Sequence, residues 1–244
     1  MKQFIFIFSI AAGILFSGCE KDNDETINYN TPEKYIVKGR VTDTHGNAMA
    51  HVKVTIEDAV FLAHYVNVET DSQGYYITTV PNGSWKASAI LDKNYQGNIY
   101  KFDLHPDNAG SFAGQDGAIR NFSWKLSGQN PGGGYYGENV AVYSEPGSVF
   151  NMSDVEITLT PDGPIVDGSI GQPVTRQLID IGGGEDGIND VPLGKYMITA
   201  KNLASGQPLE IRLRNEGNYE SSLTANFSTG FTGLTTYQIV AQVR

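Results

Sequence analysis

The sequence predicts an all-β protein made of two β-sandwich units, and three observations carry that expectation. From residue 35 onward apolar residues alternate with polar ones at period two, the mark of strands with one buried and one wet face. Gly, Asn, Asp and Pro interrupt the alternation roughly every eight to twelve residues, the spacing of sandwiches and barrels. A pattern also recurs: Val80-Pro81-Asn82-Gly83-Ser84-Trp85-Lys86-Ala87-Ser88-Ala89 returns as Val191-Pro192-Leu193-Gly194-Lys195-Tyr196-Met197-Ile198-Thr199-Ala200. No stretch of this region carries a long helical period.

Taken in order, Tyr35, Val37 and Val41 read as a first strand, closed by the turn Asp43-Thr44-His45-Gly46. Val52, Val54 and Ile56 form one face of the next strand, with His51, Lys53, Thr55 and Glu57 on the other. Thr70-Asp71-Ser72-Gln73-Gly74 is a turn before Tyr75, Tyr76 and Ile77. Val80-Pro81-Asn82-Gly83 is another before Trp85, Ala87 and Ala89, with Pro presetting φ at its second position. Val155, Ile157 and Leu159 precede the second copy of the repeat much as Val52, Val54 and Ile56 precede the first. Three later strands follow: Leu209, Ile211 and Leu213; then Leu223, Ala225 and Phe227; then Tyr237, Ile239, Ala241 and Val243. Gly128-Gln129-Asn130-Pro131-Gly132-Gly133-Gly134 is the natural linker, since clustered Gly and Pro hold no strand. The expected organisation is a first sandwich at residues 34–127 with an aromatic, Gly-rich extension, a linker at 128–134, and a second sandwich at 135–244.

The order Gly39-Arg40-Val41-Thr42-Asp43, Gly46, Val52-Lys53-Val54, Thr70-Asp71-Ser72-Gln73-Gly74-Tyr75-Tyr76 and Val80-Pro81-Asn82-Gly83-Ser84-Trp85 resembles the carboxypeptidase regulatory-like domain over residues 35–91. The resemblance implies a transthyretin-like, seven-stranded β-sandwich that accompanies enzymes or outer-membrane receptors and is not itself catalytic. Its motifs specify fold rather than ligand.

The amino terminus reads as an address. A short start, Met1-Lys2-Gln3, leads into an apolar run at residues 4–16, too short for a bilayer span of about 20 residues but right for a secretory signal. Leu15-Phe16-Ser17-Gly18-Cys19 resembles the lipobox of bacterial lipoproteins, except that Phe16 stands where that family usually has Leu. The resemblance implies removal of residues 1–18, lipidation of Cys19 and outer-membrane anchoring. Two or more acyl chains are needed for a stable hold. An ordinary secreted protein with a free thiol is the alternative. Cys19 is the only cysteine, so no intramolecular disulfide forms. Glu20-Lys21-Asp22-Asn23-Asp24-Glu25 begins a flexible acidic tether, expected over residues 19–33. It also resembles the acidic signal by which Bacteroidetes lipoproteins reach the cell surface.

Composition excludes several classes. Among 244 residues, 40% are apolar and 18% charged, which rules out a coiled coil, a collagen repeat and a disordered chain. The net charge of −10, with no Lys/Arg run, opposes a nucleic-acid partner. There is no Gly-x-Ser-x-Gly elbow, and Cys19 is consumed by lipidation. His45, His51, His64 and His105 show no zinc-ligand spacing, and the terminal signature of the hydroxyisourate hydrolases is absent.

Two segments remain as candidate sites. Gly182-Gly183-Gly184-Glu185-Asp186-Gly187-Ile188-Asn189-Asp190 reads as one loop whose Glu185, Asp186, Asn189 and Asp190 offer the oxygen ligands of calcium, against a plain solvated turn. No other cofactor is expected. Residues 92–138 hold Tyr95, Tyr100, Phe102, Phe112, Phe122, Trp124, Tyr135 and Tyr136 among many glycines, denser in aromatics than the chain average of 11%. Trp124, Tyr135 and Tyr136 are candidates for a platform on which sugar rings stack. For Trp124 the alternation Phe122, Trp124, Leu126 equally describes a buried strand face. The expected function is that of a non-catalytic lipoprotein anchored at the cell surface, binding a glycan or a neighbouring outer-membrane protein. A glycan-processing enzyme using carboxylates that no spacing identifies is the alternative.

Overall fold

A computed structural model describes residues 27–229 and 236–244. Cys19, its leader and the acidic run lie outside the described residues. The first half contributes ten strands: β1 (Ile36–Thr42), β2 (Lys53–Asp58), β3 (Tyr65–Glu69), β4 (Tyr75–Thr79), β5 (Ser84–Tyr95), β6 (Asn98–Asp103), β7 (His105–Pro106), β8 (Phe112–Ala113), β9 (Ala118–Ile119) and β10 (Phe122–Ser123). They form two sheets, β4-β1-β10-β7 with β9 beside β1, and β3-β2-β5-β6 with β8 beside β5. The second half contributes β11 (Glu138–Ser144), β12 (Val155–Pro161), β13 (Val174–Gln177), β14 (Ile179–Gly182), β15 (Glu185–Val191), β16 (Lys195–Asn202), β17 (Pro208–Leu209), β18 (Ile211–Leu213), β19 (Glu216–Glu220), β20 (Leu223–Asn226), β21 (Ser228–Thr229) and β22 (Tyr237–Val243). These make the sheets β14-β15-β11-β22-β18-β19, with β21 beside β22, and β13-β12-β16-β17, with β20 beside β16. The fold is all-β, and no sheet among the described residues draws strands from both sides of residues 128–134.

Alternation produces the cores. Val52, Val54 and Ile56 are buried, as are Trp85 and Ala89 on the neighbouring strand, while Lys53 and Glu57 point to water. In the second half Val155, Ile157 and Leu159 of β12 are fully buried beside Tyr196, Ile198 and Ala200 of β16.

The sequence repeat is also a repeat of bonds. Trp85 Nε1–H donates to the Pro81 carbonyl at 3.0 Å, and Tyr196 Oη–H donates to the Pro192 carbonyl at 2.8 Å. In each copy the aromatic four residues after Pro fills the core and ties its polar end to the turn that precedes it. The partner strands correspond too: β2 runs antiparallel to β5, as β12 does to β16.

Three expectations change. Residues 185–190 are not a loop. They belong to β15, which sits between β14 and β11. Gly187 permits that position, because a Cβ there would lie 2.2 Å from the Val140 carbonyl oxygen. The glycines before it form the turn and the strand starts at Glu185. The tether is also tied down at its end. Tyr29 rests on Tyr75 with ring centroids 4.2 Å apart, and Glu33 pairs with the buried ammonium of Lys38. Finally, residues 128–134 close on themselves: Tyr136 N–H donates to the Gly128 carbonyl at 2.9 Å, and Asn130 N–H to that of Gly134 at 3.0 Å.

The halves meet along an aromatic seam. Tyr100 Oη–H donates to the Phe227 carbonyl at 3.0 Å, and Tyr237 Oη accepts the Lys101 N–H at 2.7 Å. The two tyrosine rings touch edge-on, with centroids 4.9 Å apart. Tyr95 Oη donates to the Pro164 carbonyl at 2.9 Å and accepts from Lys195 N–H at 3.0 Å. One apolar cluster therefore runs through both sandwiches.

Candidate functional site

Where the seam opens to solvent it leaves a cleft of about 400 Å³, within the size range of small-ligand sites. Strand β6 supplies Lys101, Phe102 and Asp103 to one wall, and Lys125 follows the short strand β10. The closed loop supplies Tyr135 and Tyr136 to the rim, while Glu138 and Tyr237 open the parallel pair β11 and β22 at the base.

The predicted aromatics separate here. Tyr135 is 44% exposed at the mouth. Tyr136 is buried to 9% exposure, its hydroxyl 2.8 Å from His105 Nδ1 and its ring beneath the Lys125 ammonium at 5.9 Å. Burial, followed by Lys125, lowers the His105 pKa, so the imidazole is neutral at pH 7. Trp124 does not join the platform. At 3% exposure it packs on Phe102 with centroids 5.3 Å apart, and a ring buried so deeply has no face to offer a ligand from solvent. The core side of its alternation describes it.

The acidic segment takes structural roles instead. Asp190 Oδ1 accepts the N–H groups of Gly128 at 2.8 Å and Gly137 at 3.2 Å, stapling the closed loop to β15. Glu185 accepts the Tyr143 hydroxyl, and the Asn189 carbonyl accepts from Arg176. Asp186 faces Val142 and Asp180 across two strand pairs. Residues 185, 186, 189 and 190 are spread along an extended strand, and among the described residues no group of three or more His, Cys, Asp or Glu could hold a metal ion.

Glu138 is the residue that the sequence reading missed. It is 8% exposed, and one carboxylate oxygen accepts the Tyr237 N–H at 2.9 Å. Burial pushes its pKa up to about 7, with the Tyr237 bond pulling the other way. A signal was available: Glu138 shares its period-two face with Val140 and Val142, which places a carboxylate on the buried side of a strand.

A second, shallower depression of about 710 Å³ is lined by Tyr29, Arg40, Tyr75, His105 and Asn121. Several of its groups are already engaged. Asn121 donates to Asp107 and accepts from Arg40 N–H, while Tyr29 and the Arg40 guanidinium both pack on Tyr75. The seam cleft has the stronger claim because its buried carboxylate is only partly satisfied.

No protein-family model matches the chain. No curated protein sequence matches it either. Among solved structures it is similar to a candidate carbohydrate-binding protein from Pseudomonas aeruginosa at 13% identity, covering 38% of this chain and 90% of that one with a TM-score of 0.24. It is similar to the Bacillus anthracis TIE protein at 14% identity, covering 86% of this chain and 34% of that one, TM-score 0.33. A DUF3823 family protein from Bacteroides ovatus is 11% identical, with 79% of this chain and 99% of that one covered and a TM-score of 0.24. These are distant likenesses, and the fold described above rests on strand pairing alone.

Proposed function

We propose that the chain is a non-catalytic binding protein, held at the outer surface of a bacterial outer membrane by lipid on Cys19, and that the seam cleft holds a glycan. One observation carries the ligand reading. The exposed ring of Tyr135 stands at the mouth of a cleft whose other walls present Asp103, Glu138, Asn130 and Asn139, so a stacking face lies beside hydroxyl-bonding groups. Sugars need both. The anchor rests on the pattern at residues 15–19 and on the fact that Cys19 is the only cysteine.

A glycan array probed with the purified chain tests this reading. Binding to a defined oligosaccharide, weakened by Tyr135→Ala without loss of stability, supports it, and an array without hits contradicts it. A second reading, glycan hydrolysis, is favoured by two carboxylates, Asp103 and Glu138, on one cleft, with the Glu138 pKa lifted to about 7, as a general acid requires. A product assay on each array hit separates the two. The binding reading predicts the oligosaccharide is recovered intact.

A further inference from the structure

We infer that the glycan taken by the seam cleft carries a free amino group, and that Glu138 receives its ammonium. The inference rests on the glycan reading above and deepens it.

The geometry begins with an unbalanced charge. Glu138 is more than nine-tenths buried, lines the cleft, and bonds through one oxygen to a backbone N–H. Among the described residues it makes no ion pair. The cleft does contain cations, but each has a partner other than Glu138. Lys101 holds Asp92 at 2.8 Å, and the Lys125 ammonium lies over the Tyr136 ring. A desolvated carboxylate with no cation is an unmet electrostatic demand once it ionises. A neutral hydroxyl would answer it with an ordinary hydrogen bond. An ammonium would answer it with a charge-assisted one. A carboxylated or sulfated sugar would be repelled by the same group.

The groups facing Glu138 set the pH response. Tyr237 bonds it from β22. Lys101 and Asp103 look in from β6, and Tyr136, with neutral His105 behind it, closes the rim. Of these, Glu138 is the group that changes charge near neutrality, because burial has lifted its pKa to about 7. Below that pH the protonated acid meets the ammonium as a neutral partner, and preference for the amine weakens.

The test is calorimetric titration of the lipidated chain in detergent with three probes: a β-1,4-linked glucosamine trimer, its N-acetylated counterpart, and a lysine tripeptide. At pH 7.5 the glucosamine trimer should bind roughly tenfold more tightly than the N-acetylated one, the factor expected of a hydrogen bond gaining charge. That preference should shrink at pH 5.5. Glu138→Gln keeps an oxygen for the Tyr237 N–H and removes the charge. It should abolish the preference, bringing the two trimers to the same affinity. Equal affinity for the two trimers, or a preference that survives Glu138→Gln, overturns the inference while leaving the glycan reading in place. Tighter binding of the lysine tripeptide than of the glucosamine trimer overturns it in favour of a basic peptide. Binding of neither sugar overturns both readings.

Discussion

Trp124 lies where the first sandwich meets the seam, and its replacement by Ala separates a core residue from a binding surface. The indole is 3% exposed and packs on Phe102. Truncating such a side chain costs about 3–5 kcal/mol through lost transfer energy and the cavity left behind. The structure changes this figure in one respect. The Trp124 Nε1–H is buried without a partner among the described residues, and removing an orphaned donor returns about 1–3 kcal/mol. The net loss is then about 2 kcal/mol, which for a domain this large is a fall in melting temperature of roughly 4–8 °C. Trp124→Phe removes the orphan donor yet keeps an aromatic ring against Phe102, so it should melt within about 3 °C of the parent. Differential scanning calorimetry reads both. An unchanged melting temperature for Trp124→Ala, accompanied by lost glycan binding, would refute the core assignment.

Other outcomes follow from the same geometry. Glu138 is ionised in the unfolded chain above its ordinary carboxylate range but stays protonated in the fold up to about pH 7. The folded state therefore binds more protons in between, and this group's contribution is full at low pH, falls as pH rises through that window, and is absent above it. Glu138→Gln should consequently gain stability over the parent between pH 5 and 8, by about 2–3 kcal/mol at the upper end, in denaturant titrations at each pH. Tyr100→Phe strands the Phe227 carbonyl at the seam and should lower stability by about 1–3 kcal/mol, whereas Tyr135→Phe, at an exposed site, should stay within about 0.5 kcal/mol. Limited proteolysis should cut residues 20–32 first and 131–134 next, the second segment being an exposed turn. The seam should keep the two β-rich fragments together on gel filtration. Cys19→Ala should move the protein from the membrane to the soluble fraction, and a variant that still sediments with membranes would remove the anchor from the account.

The strands were legible wherever one face meets a core and the other meets water. Val52, Val54 and Ile56 show this, and so does the repeated Val-Pro-x-Gly turn, because the aromatic that follows it binds back to the turn in both copies. Strand β15 was illegible for a physical reason. It lies inside its sheet with pairs on both sides, and its Glu185 and Asp190 side chains find partners on β11 and in the closed loop, so composition resembled a loop while backbone pairing made a strand. The candidate site was only half legible. Tyr135 and Tyr136 stood out by aromatic density, but the cleft exists only where β6 of one half meets β11 and β22 of the other. A single residue such as Glu138 carries no mark of that meeting beyond its place in an apolar alternation.

The central claim, that the seam cleft holds a glycan, is tested most directly by mapping backbone amide shifts in nuclear magnetic resonance while the tightest-binding oligosaccharide from the array is titrated in. The account predicts saturable shifts concentrated at Tyr135, Tyr136, Glu138 and Tyr237, with the Tyr237 amide moving furthest because its hydrogen-bond acceptor is the carboxylate that meets the ligand. Shifts centred on Tyr29, Tyr75 and Asn121, with the seam residues unmoved, would contradict it.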